Sequence, residues 1–398
     1  MAKHKLWQTN DKSLHPLVET FTVGDDYILD HQLLPYDVKA SIVHVEMLFK
    51  MNILSKQELE SAKKGLDEIL LRWKDNTFNI TQEQEDGHTA IEQFLTENYG
   101  DVGKKIHTGR SRNDQSLVML RLFMKEKLIT IQEHVTQLIA ALDKKAKQWE
   151  AIAMPGYTHM QKAMPATAGL WLDSFSAAFK DFEYALQATL KITDQNPLGS
   201  ASGFGIANFP LDRAYTTEKL DFSRTQENPM YCGLSRGYFE NIVLQTLSQV
   251  MVIAGKFAND MLLFTTQEFH FFTLPDHFTT GSSIMPQKRN YDLMEIMRGN
   301  TKRYNAYQNQ IQNIVSSMGS GYQRDLQLTK APFVKGINLC ELTLQVITEV
   351  IGALQVDEAA LKNAMTDDLY VTNEVYELVK KGKSFRTAYM EVKNTWHS

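Results

Sequence analysis

Ten residues, Gly281-Ser282-Ser283-Ile284-Met285-Pro286-Gln287-Lys288-Arg289-Asn290, place hydroxyls, a lysine and a side-chain amide within one short span. Such a set can bind a carboxylate and stabilise negative charge developing beside it, because preorganised donors act most strongly where charge appears. Thr279 and Thr280 extend the polar run on its N-terminal side, as in a loop that closes over a ligand and excludes water. Pro286 fits the entry to a helix, from which Lys288 and Asn290 would point back toward the same anion.

Two further connections carry reactive side chains. In His107-Thr108-Gly109-Arg110-Ser111-Arg112-Asn113-Asp114-Gln115, Asn113 or Asp114 can cap the helix that follows. The free N–H groups of that helix end favour an anion, and Arg110 and Arg112 offer bidentate donors to carboxylates. In Met154-Pro155-Gly156-Tyr157-Thr158-His159-Met160-Gln161, His159 has the side chain best suited to proton transfer near neutrality. Thr158 adds a hydroxyl able to orient a carboxylate. Taken singly, each segment has a plain structural reading, a capped helix start or a packing histidine. Their combination is what points to a site.

The elements that must hold these segments are helices. All ten prolines fall at 16, 35, 155, 165, 197, 210, 229, 275, 286 and 332, which leaves long stretches free of breakers. Leu117, Leu120, Met124, Leu128, Ile131, Val135, Leu138 and Leu142 alternate steps of three and four, the seam of a long amphipathic helix. Leu172, Phe175, Phe179, Phe182, Leu186 and Leu190 repeat the pattern, as do Phe239, Val243, Leu247, Val250, Ala254, Phe257, Met261 and Phe264. A fourth helix is predicted over about 292–318 and a fifth over about 333–354. Alternating β-branched runs are nearly absent, so the expectation is an all-α protein built on a bundle of long helices. Apolar residues beyond one helix face predict burial against other subunits, hence an oligomer.

Bulk composition narrows the partners. A 398-residue chain with a formal net charge of −5 has no general attraction to nucleic acid or to an anionic membrane, although local Lys and Arg can hold a small anion. Its two cysteines, Cys232 and Cys340, form no paired motif, which predicts a reducing, cytoplasmic location. Residues 1–7 lack the apolar core of a signal peptide, and the greasiest stretch, 242–254, is interrupted by Gln245, Ser248 and Gln249. Gly203-Phe204-Gly205 lacks the third glycine and preceding strand of a dinucleotide fingerprint, and Gly100 to Lys105 is too short for a Walker loop. No His-Glu-x-x-His or EF-hand spacing occurs, so no metal and no nucleotide cofactor are expected.

Together these segments identify a resemblance. The 281–290 loop resembles the signature of the fumarase/aspartase superfamily, and His107 to Gln115 and Met154 to Gln161 are similar to the motifs of the argininosuccinate lyases within it. Glu85-Asp86-Gly87-His88-Thr89-Ala90 and Tyr322-Gln323-Arg324-Asp325-Leu326-Gln327 extend the similarity. The resemblance implies a homotetramer of the fumarase/aspartase type, with each active site assembled from three subunits. It divides the chain into an N-terminal helical domain (1–111), a central long-helix bundle (112–358) and a C-terminal helical subdomain (359–398) shorter than in relatives.

It also implies β-elimination of argininosuccinate to arginine and fumarate. By similarity Ser282 is the general base, Lys288 the cation beside its alkoxide, and His159, paired with Glu295 and aided by Thr158, completes proton transfer. Lys288, Asn290 and loop N–H groups would hold the developing aci-carboxylate, and Ser283 is a further substrate-binding position. Arg112 and Asn113, with Arg110, would hold the fumarate portion; Tyr322, Gln327, Lys330 and Arg236 match substrate-binding positions; Asp30 matches an acid facing the arginine portion. Asp26 stands where the family usually has a serine, and Ser235 and Gly237 replace acids beside Arg236. These departures suggest a modified argininosuccinate as an alternative substrate. Further alternatives are another fumarate-releasing lyase, such as an adenylosuccinate lyase, and a catalytically silent, crystallin-like homologue.

Overall fold

The computed structural model describes residues 14–396, and the reading of residues 1–7 lies outside them. In chain order the helices are α1 (Pro16–Val23), α2 (Asp26–Lys50), α3 (Lys56–Lys74), α4 (Gly87–Tyr99), α5 (Val102–Lys105) and α6 (Arg112–Gln148). A hairpin of β1 (Ala153–Thr158) and β2 (Gln161–Thr167) leads to α7 (Ala168–Thr193), α8 (Arg213–Lys219), α9 (Pro229–Leu234) and α10 (Tyr238–Phe264). Then come α11 (Asp292–Val315), α12 (Lys330–Ala353), α13 (Glu358–Ala364), α14 (Val371–Lys380) and α15 (Phe385–Trp396). The all-α expectation holds, and the five long helices fall where periodicity placed them.

Contacts group the chain into two compact units built from interleaved segments. One comprises residues up to Thr130, Ala185–Ser248 and Tyr304–Leu339; the other comprises Ile131–Tyr184, Gln249–Arg303 and residues from Cys340 on. The first unit packs α2, α3 and α4 around Leu34, Val38, Leu48, Leu66, Ile69, Ile91 and Leu95. Its helix starts are well specified: Ser55 and Glu58 form a reciprocal capping box on α3, and Asp86 caps α4 through the Thr89 N–H at 2.9 Å. The second unit has an aromatic core, in which Trp171 stacks on Phe272 at 4.8 Å and Phe257 meets Phe175 edge-on at 5.5 Å. α10 has the length and composition of a membrane span, yet its stripe from Phe239 to Phe264 is buried inside the protein, as in a core helix.

Two local expectations are corrected. The Met154 to Gln161 segment is the first strand and the turn of a β-hairpin and not a simple connection. Pro155 sits opposite Pro165 and the register slips between Gly156 and Tyr157, so proline and a bulge disguise the strand pattern. Pro286 does not open a helix either, because Thr280–Gly281 pairs antiparallel with Arg289–Asn290 and α11 starts only at Asp292. The loop folds back on itself before the helix can begin.

Candidate active site

A cavity of about 200 Å³ opens in the first unit. Its wall is assembled from five places in the chain. The first turns of α2 supply Asp26 and Asp30, which lie four residues apart and so share a helix face. The start of α4 and the segment before it supply Glu85, Asp86 and His88; the first turns of α6 supply Arg112, Asn113 and Ser116. Arg236, from the turn between α9 and α10, joins Tyr322, Arg324, Gln327 and Lys330 from the approach to α12.

Lys330 is the pivot of one side. Its Nζ lies 2.6 Å from Asp30 Oδ1 and 3.2 Å from Asp26 Oδ1, while Asp30 Oδ2 accepts from the Gly87 N–H at 3.0 Å. Burial alone would raise the Asp30 carboxyl, but Lys330, His88 and the Gly87 N–H hold it below its ordinary value. Burial likewise works against the Lys330 ammonium, and the two carboxylates more than compensate. Asp26 behaves differently: burial raises its carboxyl to about 6 against the pull of Lys330, with Asp30 adding to the rise.

Arg112 anchors the other side. It donates to Glu85 Oε2 at 3.1 Å and to Thr89 Oγ1 at 2.8 Å, and its Nε is 3.3 Å from Asp86 Oδ2. Arg236 donates to Ser116 Oγ at 2.8 Å, with Glu240 Oε1 3.3 Å from its Nε. His88 Nδ1 is 2.5 Å from Asp37 Oδ2. Burial opposes a charged imidazole there, yet the Asp37 carboxylate outweighs it and raises the His88 pKa. Guanidinium, ammonium and amide donors interleaved with carboxylates suit a small ligand bearing several carboxylates and a cation.

Of the expected binding residues, Asp30, Arg112, Asn113, Arg236, Tyr322, Gln327 and Lys330 meet on this cavity. Gln327 is already engaged, since its amide donates to the carbonyls of Thr22 and Val23, both at 3.1 Å. Arg110 points elsewhere: its guanidinium is buried and donates to Ser41 Oγ at 2.9 Å, off the cavity wall. The cap of α6 is also not Asn113 or Asp114 in the expected sense. Both lie within the first turn, where Ser111 Oγ accepts from the Asn113 N–H at 3.3 Å and Asp114 Oδ1 accepts from the Ser111 N–H at 2.8 Å. Asp114 also holds the Gly199 and Ala201 N–H groups at 3.0 and 3.1 Å. His107, in the same motif, is kept neutral, its pKa lowered to about 4 by burial and by Arg110.

The residues expected to do the chemistry belong to the second unit. Ser282 sits at the tip of the folded-back loop, where its Oγ accepts the N–H groups of Ile284 at 3.2 Å and Met285 at 3.0 Å. Those donors, and not a helix end, are what the structure offers a serine oxyanion. The Asn290 amide donates to Gly281 O at 3.4 Å across the base of the loop, while Ser283 and Lys288 are exposed. Thr158 and His159 are exposed at the hairpin turn, with His159 at φ 53° and Met160 at φ 61°. Left-handed backbone at two successive non-glycine residues is strained by about 1–2 kcal/mol each. Glu295, on the first turn of α11, is exposed, and among the described residues it makes no bond to His159.

Sequence reasoning assigned no role to His88, Asp37, Glu85, Asp86, Ser116 or Arg324. His88, Glu85 and Asp86 lie in a segment already picked out by resemblance, so charge density around one histidine was the available signal. Asp37, 51 residues from His88, had none.

Comparison with known proteins follows the same lines. The lyase family model matches residues 14–304. Argininosuccinate lyase of Thermotoga neapolitana is 40% identical over 388 residues, covering 98% of this chain and 97% of that protein. This chain belongs to the argininosuccinate lyase family. Another argininosuccinate lyase, from Xylella fastidiosa, is 38% identical over 98% of this chain and 87% of its own length. Among solved structures, an EDDS lyase variant with bound fumarate superposes with a TM-score of 0.77 at 23% identity, over 96% of this chain and 76% of that one. The fumarate lyase:delta crystallin of Brucella melitensis gives 0.79 at 16% identity, over 97% and 90%. Both likenesses bear on the fold alone, which is the fumarase/aspartase fold expected for argininosuccinate lyases.

Proposed function

We propose that the chain catalyses the reversible β-elimination of argininosuccinate to arginine and fumarate, in the cytoplasm and in arginine biosynthesis. The observation that carries this reading is the convergence of Arg112, Asn113, Arg236 and Lys330 with Asp30 on one cavity. Argininosuccinate offers three carboxylates and two cations, the charges this wall complements. In the reaction, the Ser282 oxyanion takes the proton from the carbon beside a succinyl carboxylate, supported by the Ile284 and Met285 N–H groups and by Lys288. The C–N bond then breaks, its electron pair leaves with the guanidine nitrogen, and fumarate forms. His159, oriented by Glu295 and assisted by Thr158, serves the proton transfers, while Asn290, Ser283 and loop N–H groups hold the doubly charged carboxylate. General acid–base help of this kind contributes about a hundred- to ten-thousandfold.

The proposed assembly is a homotetramer that shares its active sites between subunits. Exposed apolar side chains on the long helices support it, among them Leu170, Tyr184, Val252, Ile296 and Leu342. The three-part division at 111 and 358 belongs to the same proposal. Fumarate release from argininosuccinate, followed by ultraviolet absorbance with wild-type and Ser282→Ala protein, tests the reading. Release by the wild type alone is expected; equal release by both removes Ser282 as the base, and none from either removes the lyase assignment.

A further inference from the structure

His159 and Met160 are the central residues of a hairpin turn closed by the Thr158–Gln161 pair, and both hold positive φ, 53° and 61°. Two-residue turns of this kind usually carry Asn-Gly, because a larger side chain is strained in the left-handed region. Such backbone persists only where its surroundings over-determine it. The regular ladder does not reach far enough to do so, since the register slips between Gly156 and Tyr157, one rung below the closing pair. That rung, Tyr157 opposite Lys162, is anchored at both ends. The Tyr157 ring packs on Phe264 and Phe269, with centroids 6.2 and 5.7 Å away. Lys162 Nζ donates to the Ala364 carbonyl at 2.6 Å and to Thr366 Oγ1 at 3.3 Å.

Ala364 is the last residue of α13, where carbonyls lack helical partners and a cation is favoured. Thr366 leads into a short 3-10 helix, Asp367–Tyr370. α13 packs on β1 and the 3-10 helix on β2. The start of α13 is fixed in turn: Gln355–Val356 pairs antiparallel with Phe272–Thr273, and the Asp357 N–H donates to the Phe271 carbonyl at 2.9 Å. Both anchors of the rung therefore belong to one framework within the second unit.

We infer that Lys162 is a positioning residue: by tying the hairpin to residues 364–366 it holds the strained turn that presents His159, and so enlists the C-terminal segment in the reaction. This rests on the lyase reading above and on the part of His159 in it. Lys162 is exposed, and surface substitutions usually leave global stability nearly unchanged. Its effect on placement is larger, because a displacement of about 1 Å in a reacting group can cost about a hundredfold in rate.

The experiment measures fumarate release from argininosuccinate by wild type, Lys162→Met, Lys162→Arg, His159→Asn and the double variant Lys162→Met/His159→Asn. Unfolding midpoints and hydrogen–deuterium exchange of the 153–167 peptide accompany it. Lys162→Met is expected to lower kcat by about tenfold with KM within about twofold, and to speed exchange in the hairpin at an unchanged midpoint. Lys162→Arg, which keeps a cationic donor for the carbonyl, should restore most of the lost kcat. Asn tolerates positive φ, so His159→Asn removes the imidazole without adding strain. In that background Lys162→Met should cost less than about twofold, because a residue acting through His159 has nothing left to position.

Wild-type kcat in Lys162→Met, a loss that follows a lowered midpoint, or an equal loss in both backgrounds overturns the inference and leaves the lyase reading standing. Where His159→Asn turns over too slowly to read the cycle, rescue decides, and failure of Lys162→Arg to restore kcat overturns it. Wild-type turnover by His159→Asn removes His159 from the reaction and the inference with it. No fumarate from wild type overturns the lyase reading as well.

Discussion

Lys330 Nζ and Asp30 Oδ1 lie 2.6 Å apart although 300 residues separate them, and the bond ties the start of α12 to the second turn of α2. Both side chains are buried, so each depends on the other to remain charged. Lys330→Met leaves Asp30 without its main counter-ion and is expected to destabilise the protein by about 3 kcal/mol. Denaturant midpoints at pH 7 measure it.

Asp26 contributes to stability with the opposite sign. Its carboxyl is raised in the folded protein from 3.8 to about 6. The cost of ionising it is absent below the unfolded value, grows as pH rises between the two, and is complete above about 6. Asp26→Asn should therefore be more stable than wild type at pH 7, by about 3 kcal/mol, with the gap closing toward pH 4. Thermal unfolding across that range checks the slope, and a gap independent of pH would contradict it.

His88 follows the other linkage. Its pKa is raised above the ordinary 6.5 by Asp37, so the stabilisation from the pair is complete below 6.5 and is lost as pH climbs through the raised value. The stability difference between wild type and His88→Gln should be larger at pH 6 than at pH 9.

Ser282→Ala should lower kcat for argininosuccinate by about a hundred- to ten-thousandfold. Ser282 lies on a surface loop and, among the described residues, bonds to backbone N–H groups two and three residues on, so the unfolding midpoint should stay within about 0.5 kcal/mol of wild type. A large loss of stability would mean that the lost activity reports folding.

His159→Gly tests whether the strained turn is kept for activity. Glycine adopts φ 53° without a Cβ clash, so the hairpin should gain about 1 kcal/mol while turnover falls. Unchanged turnover would leave His159 with no part in the reaction.

The long helices were legible because apolar steps of three and four persist over 20 or more residues, as from Phe239 to Phe264. The cavity was legible in part. Arg112, Asn113 and Lys330 stand in motifs, whereas the pairings that set their electrostatics join α2 to α4 and α12, and spacing cannot report these. The hairpin at His159 was hidden by Pro155, Gly156 and Pro165, residues that weaken any strand signal. Arg110 and Arg112 look equivalent in the sequence. Only the start of α6 decides that one turns inward to Ser41 and the other toward the cavity.

The interleaving of the two units also constrains how the chain comes into being. Neither unit is a contiguous stretch, so neither can be expressed as a simple truncation, and a ribosome delivers Asp26 long before Lys330. Until residue 330 has emerged, Asp30 has no ammonium to meet and the cavity has one wall missing. Closing contacts across so many residues is slow. The nascent protein therefore acquires its ligand site only when most of it has been synthesised.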